Sequence, residues 1–138
     1  MAHQDLNDLA DYCIGFARQM LGKHGEFYPF GASIGTDGKL AVDGVLLDDE
    51  HPPSLTVIER YTEVYHARAK NGELVAAALC WDSRVSIGNS PKTDAISIGL
   101  EHSNQESVTV FVPYKKLLFR GYQYGELTAT RREPQFFS

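Results

Sequence analysis

Three short stretches of this 138-residue chain hold the residue types that can move a proton or grip a cation: His24 with Glu26, Glu101 with His102, and Asp48-Asp49-Glu50-His51. Imidazole and carboxylate together are the ligands of divalent metal ions and the usual pair in acid–base catalysis. His24 and Glu26 are two residues apart, so an extended backbone points them to the same side, where a third ligand would complete a metal site. Glu101 and His102 are adjacent and therefore face opposite sides of a strand. They cannot hold one ion together, although either could meet His24 or Glu26 across the fold. Each stretch also has a plainer reading. His24 suits the terminal carbonyls of a helix, Glu101-His102 suits a solvated turn, and the acidic run suits a loop whose charge favours the start of the next helix. A His-Glu-x-x-His helix, a paired-cysteine zinc pattern and an EF-hand loop are all absent from the sequence. No metal and no cofactor is assigned.

Other chemistries have less support. Ser33, Ser83, Ser86 and Ser97 lack the Gly-x-Ser-x-Gly elbow of a hydrolase, and Gly31-Ala32-Ser33-Ile34-Gly35 leads into a hairpin rather than into a phosphate-binding helix. Cys13 and Cys80 have no basic neighbour to favour a thiolate, so they read as packing residues. Trp81 with Arg84 has the composition of a recognition patch, and Tyr28, Phe30 and Trp81 could line a small-molecule pocket. Tyr61 and Tyr65, one helical turn apart, read as core contacts.

The elements that must position these residues follow from hydrophobic period. Ile96, Ile98 and Leu100 alternate with Ala95, Ser97 and Gly99, the repeat of a strand buried on one face. Val108, Val110 and Val112 repeat it opposite Thr109 and Phe111, and the turn Ser103-Asn104-Gln105-Glu106 makes the two runs antiparallel. Leu74 to Ile87, ended by Gly88-Asn89-Ser90-Pro91, is more continuously apolar at its start, so it is either covered on both sides or bent by a bulge near Asp82 and Ser83. Upstream, Leu6, Leu9, Ala10, Cys13, Ala17, Met20 and Leu21 mark a helix from about Asp5 to Leu21, with Asp5 as N-cap and Gly22 and Gly25 able to end it.

A strand over Phe27 to Ile34 contains Pro29, which places it at an edge or before a bulge. Thr36-Asp37-Gly38-Lys39 turns the chain into a return over Leu40 to Leu46. Ser54 caps a second helix that carries Val57, Ile58, Tyr61, Val64 and Tyr65 inward and closes at Lys70-Asn71-Gly72. A last short strand is expected around Gln123 to Ala129, and Phe136-Phe137 is expected to dock on the body or on another subunit.

Leu21-x-Lys23-His24-Gly25-Glu26-Phe27-Tyr28-Pro29-Phe30-Gly31, Gly72-Glu73-Leu74, Asp94-Ala95-Ile96, Glu101-His102 and Val112-Pro113-Tyr114 together resemble a family of small bacterial proteins of unknown function. The resemblance covers nearly the whole chain and implies no activity, cofactor or site residue. One departure is visible: a glycine expected in the turn after His102 is replaced by the run Ser103-Asn104-Gln105-Glu106.

Composition limits the function classes. Hydrophobic residues at 43% and charged residues at 22% are ordinary globular values. The early Asp5, Asp8 and Asp11 are unlike a secretory signal, and two unpaired cysteines suit a reducing compartment, so a cytoplasmic protein is expected. A net charge of −5 argues against nucleic acid, even with Lys115, Lys116, Arg120, Arg131 and Arg132 near the end. No apolar run is long enough for a membrane span.

The sequence therefore predicts one α+β domain over residues 1–138, with a mainly antiparallel sheet of five or six strands and two helices packed on one face. The expected function is a non-catalytic interaction or regulatory domain of immunity type, with a protein partner or self-association, no nucleic acid and no membrane. The alternative is a small metal-dependent enzyme or ligand-binding protein. The candidate binding residues are His24, Glu26, Tyr28, Trp81, Arg84, Glu101 and His102.

Overall fold

A computed structural model describes residues 3–47 and 49–138. Asp48 of the acidic run lies outside them. The first helix, α1, spans Gln4–His24 and buries Leu6, Leu9, Ala10, Cys13, Ala17 and Leu21, the stripe set by three- and four-residue spacing. Its N-cap is His3 rather than Asp5: the His3 Nδ1 accepts from the Asp5 N–H at 3.0 Å. Asp5 thus falls in the first turn, where its charge suits the positive end of the helix dipole. Gly25, with φ 73°, closes the helix by donating to the Leu21 carbonyl.

Strand β1, Phe30–Gly35, and strand β2, Leu40–Asp43, form the expected hairpin. Pro29 precedes β1 instead of lying inside it, so its missing N–H costs the ladder nothing. β1 is accordingly not an edge strand but sits between β2 and the next strand. Helix α2 spans Ser54–Lys70; Pro53 takes the N-cap position and Ser54 makes no side-chain cap.

Strands β3 (Leu74–Val85), β4 (Thr93–His102) and β5 (Ser107–Leu117) are the expected meander. The β3–β4 register runs without a break from Ala76↔His102 to Val85↔Thr93, so there is no bulge at Asp82 or Ser83. The irregularity in β3 is instead against β1, where Ile34 pairs with Ala76 but Gly35 with Leu74.

The single strand expected around Gln123 is two: β6 (Gly121–Tyr124) pairs with Tyr114–Leu117, and β7 (Thr128–Arg131) pairs with Val108–Phe111. They are interrupted opposite Pro113, which has no N–H for the ladder. The Gly125 N–H donates to the Pro113 carbonyl at 2.7 Å there, and a β-carbon on Gly125 would lie 2.9 Å from the proline ring. Among the described residues the sheet is an antiparallel one of seven strands, ordered β2-β1-β3-β4-β5-β6 with β7 also on β5, and not the five or six expected.

The α+β expectation holds, but the helices do not share a face. α1 packs with Ala76, Ala78, Cys80, Ile96, Ile98, Leu100, Val110 and Val112, whereas α2 packs with Ala77, Leu79 and Leu74. Neighbouring residues of a strand point to opposite faces, so the continuous apolar start of β3 is the mark of a strand covered on both. On the second face, Tyr61 and Tyr65 lie over Gly31, where a β-carbon would collide with both rings' atoms. The Tyr61 hydroxyl donates to the Asp43 carbonyl at 2.6 Å. Asp43 Oδ2 accepts from Tyr65 at 2.8 Å and Ser33 at 2.6 Å, with Arg68 3.5 Å away.

Candidate functional site

The candidate residues divide between the two ends of the sheet. At the end where β4 finishes and β5 begins, Glu101 is 0% exposed. Its carboxylate accepts from Arg132 Nε at 3.0 Å and from the backbone N–H groups of Gln135, Phe136 and Phe137 at 2.9, 2.8 and 3.2 Å. A buried carboxylate is tolerable only when paired and fully hydrogen-bonded, and this one is. It seats residues 132–137 against the α2 face, where Phe136 (1% exposed) meets the Tyr65 ring edge-on at 5.3 Å. The expected docking of Phe136-Phe137 is thus on the body.

His102 points to the opposite face. Its Nε2 lies 3.1 Å from Asp5 Oδ2, its Nδ1 accepts from the Asn104 N–H at 3.1 Å, and the His3 ring packs on it at 3.9 Å. His3, Asp5 and His102 each bring a ligand-type atom within 4.8 Å of the others. The hydrogen bonds argue against a metal. A metal-bound imidazole donates its second N–H to an acceptor. Here the second nitrogen of His102 accepts a backbone N–H, which leaves the proton on Nε2 facing Asp5. His3 Nδ1 is likewise taken by the Asp5 N–H. The cluster fastens the start of α1 to the end of β4.

His24 is exposed at the last position of α1, about 30 Å along the helix axis from Asp5 at 1.5 Å per residue. His24, Glu26, Glu101 and His102 therefore form no common site. Glu26 instead belongs to a hollow at the other end of the sheet, with Tyr28, Ser54, Asp82, Arg84 and Asp94. The hollow exists because β3 outruns β1: Phe30 pairs with Cys80, so beyond it Trp81–Val85 has β4 beside it but no β1. The Tyr114 hydroxyl donates to Asp82 at 2.7 Å, and Arg84 pairs with Asp94 at 3.2 Å. Partial burial raises the Asp82 carboxyl above the usual carboxylate range, and the charges of Asp94 and Glu26 add to this, against the Tyr114 hydrogen bond. Burial and Asp82 push the Tyr114 hydroxyl up in turn.

Trp81 and Arg84 do not make one patch. Trp81 packs on the α2 side, whereas Arg84, three residues on, points the other way toward Asp94. Phe30 is in the α1-side core, so Tyr28, Phe30 and Trp81 line no shared pocket. The terminal basic residues are also dispersed: Arg132 is engaged by Glu101, Arg131 pairs opposite Val108, and Lys115 and Lys116 lie at the far end of β5.

The β5–β6 hairpin tip, which no catalytic or ligating residue type marks in the sequence, lies at the same end as the hollow. Leu118 is 82% and Phe119 96% exposed, and Phe119 has φ 66°. That backbone conformation costs a non-glycine residue about 1–2 kcal/mol.

No family model, curated protein or solved structure gives a match to this chain. Its function rests on the geometry alone.

Proposed function

We propose that the protein is a non-catalytic interaction domain, regulatory or immunity-type in role, that docks a protein partner or a second copy of itself. The observation that carries this reading is the hairpin tip, where a leucine and a strained phenylalanine are held in water beside Lys115, Lys116 and Arg120. Large apolar groups displayed together on a turn are costly unless a partner covers them. The rival, a metal-dependent or ligand-binding site joining His24, Glu26, Glu101 and His102, lacks support because those side chains do not converge.

The expected cytoplasmic setting draws support from Cys13 and Cys80. Both thiols are free and buried, and burial, then its hydrogen bond with Cys13, pushes the Cys80 thiol well up, away from the reactive thiolate. Among the described residues, no helix is long and apolar enough to cross a membrane.

Light scattering over a range of concentrations, paired with pulldown from a native lysate, tests the proposal. A mass above the 15.3 kDa monomer or a retained protein is expected, and either is expected to vanish in a Leu118→Ser/Phe119→Ser variant. A strict monomer that retains nothing would overturn it.

A further inference from the structure

We propose that the occupant of this surface is a second copy of the chain: the Leu118–Phe119 tip of each protomer enters the Glu26–Asp82–Asp94 hollow of the other. This rests on reading the tip as an interaction surface and goes on to name its partner. The first argument is charge. Lys115, Lys116 and Arg120 flank the tip, while the hollow sets three carboxylates against the single guanidinium of Arg84. In a chain of net charge −5, two copies repel in most orientations, and this pairing is one that attracts.

The second argument is apolar contact: Leu118 and Phe119 are exposed at the tip, and the shallow hollow carries the exposed Tyr28 ring on its wall. The third is register. β4 starts at Thr93, opposite Val85, while β5 runs on to Leu117 with only β6 beside it. The tip therefore projects beyond the same end of the sheet at which the hollow opens. A two-fold axis across that end would place both tips in both hollows at once, giving a closed interface rather than an open chain. The fourth is strain. Phe119 holds a backbone conformation suited to glycine while its side chain stays in solvent, so its own chain gains nothing from it. An anionic lipid surface fits less well, because the acids of the hollow would face it together with the cations of the tip.

The decisive variant is Phe119→Gly, examined in the full chain by light scattering and thermal melting. Glycine adopts the positive φ freely, so the isolated monomer is expected to melt higher, while the dimer weakens by about thirtyfold, the scale for losing an aromatic anchor. Lys115→Glu/Lys116→Glu is expected to dissociate the dimer too, and adding Glu26→Lys to that variant is expected to restore it. Self-association unchanged in Phe119→Gly overturns the inference. So does a charge-swapped chain that stays monomeric while remaining folded, or tip-dependent sedimentation with phosphatidylglycerol vesicles by a chain that stays monomeric. If the unsubstituted chain never self-associates but holds a lysate partner that Phe119→Gly loses, this inference fails while the interaction reading stands; if neither association exists, both fail.

Discussion

Glu101 and Asp82 are carboxylates on neighbouring central strands, near opposite ends of one sheet, and the fold treats them in opposite ways. Glu101 is enclosed, with Arg132 and three main-chain N–H groups aimed at it. Asp82 has the Tyr114 hydroxyl as a side-chain donor, and partial burial, with the charges of Asp94 and Glu26 added, makes its carboxyl less acidic than usual despite that hydrogen bond. The same contrast runs through the surroundings. Around Glu101, the first turn of α1 and residues 132–137 are clamped by side-chain hydrogen bonds. Around Asp82, charged and apolar groups remain at the surface. The comparison teaches that an acid beside a histidine in sequence can be wholly engaged in holding the chain together, while the large apolar side chains left in water stand at the opposite end of the sheet.

Several substitutions would break or sharpen this contrast. The largest effect is expected from Glu101→Ala, which strands a buried guanidinium and three N–H groups: a loss of about 3–5 kcal/mol in urea unfolding. A loss below about 1 kcal/mol would mean that the clamp is incidental. Asp5→Ala should cost less, about 1–2 kcal/mol, since it removes one partly exposed hydrogen-bond partner of His102 and one charge of the first turn. In the unsubstituted protein, an excess of zinc should leave the melting temperature unchanged; a clear rise would show that His3, Asp5 and His102 rearrange into ligands.

Gln105 occupies φ 80° in the β4–β5 turn, the place where a glycine was expected. Gln105→Gly should therefore stabilise by up to about 1 kcal/mol, read as a higher urea midpoint. The smallest effect concerns Asp82. A folded-state carboxyl raised above its unfolded value weakens the fold at neutral pH, and the penalty disappears as pH falls below the unfolded value. Asp82→Asn, which keeps an acceptor for Tyr114, should raise the melting temperature slightly at pH 7 and leave it unchanged in strong acid. The opposite sign would mean that the Asp82 charge does not weaken the fold.

Much of the sheet was legible because period is a local property. Ile96, Ile98 and Leu100 are buried as their alternation demands, and the Asp37-Gly38 turn supplies the positive φ that the hairpin needs. The placement of the helices was not read, because an amphipathic helix says that it covers something without saying which face. The signal lay in β3, where Ala76 and Ala78 alternate with the equally apolar Ala77 and Leu79. Pro113 likewise marked the break between β6 and β7. The role of Glu101 left no local trace, since its donors lie 31 to 36 residues downstream. Neither did the exposure of Leu118 and Phe119, whose apolar run reads like any buried one.

The carboxylate under residues 132–137 also bears on how the polypeptide is made. While a ribosome is still extending the chain, Glu101 has no counter-ion and no main-chain donors from that segment, and a naked charge cannot remain in an apolar interior. The meander can thus reach its final packing only once residues 132–137 have been added and have emerged, which ties maturation of the central strands to the arrival of donors 31 to 36 residues downstream.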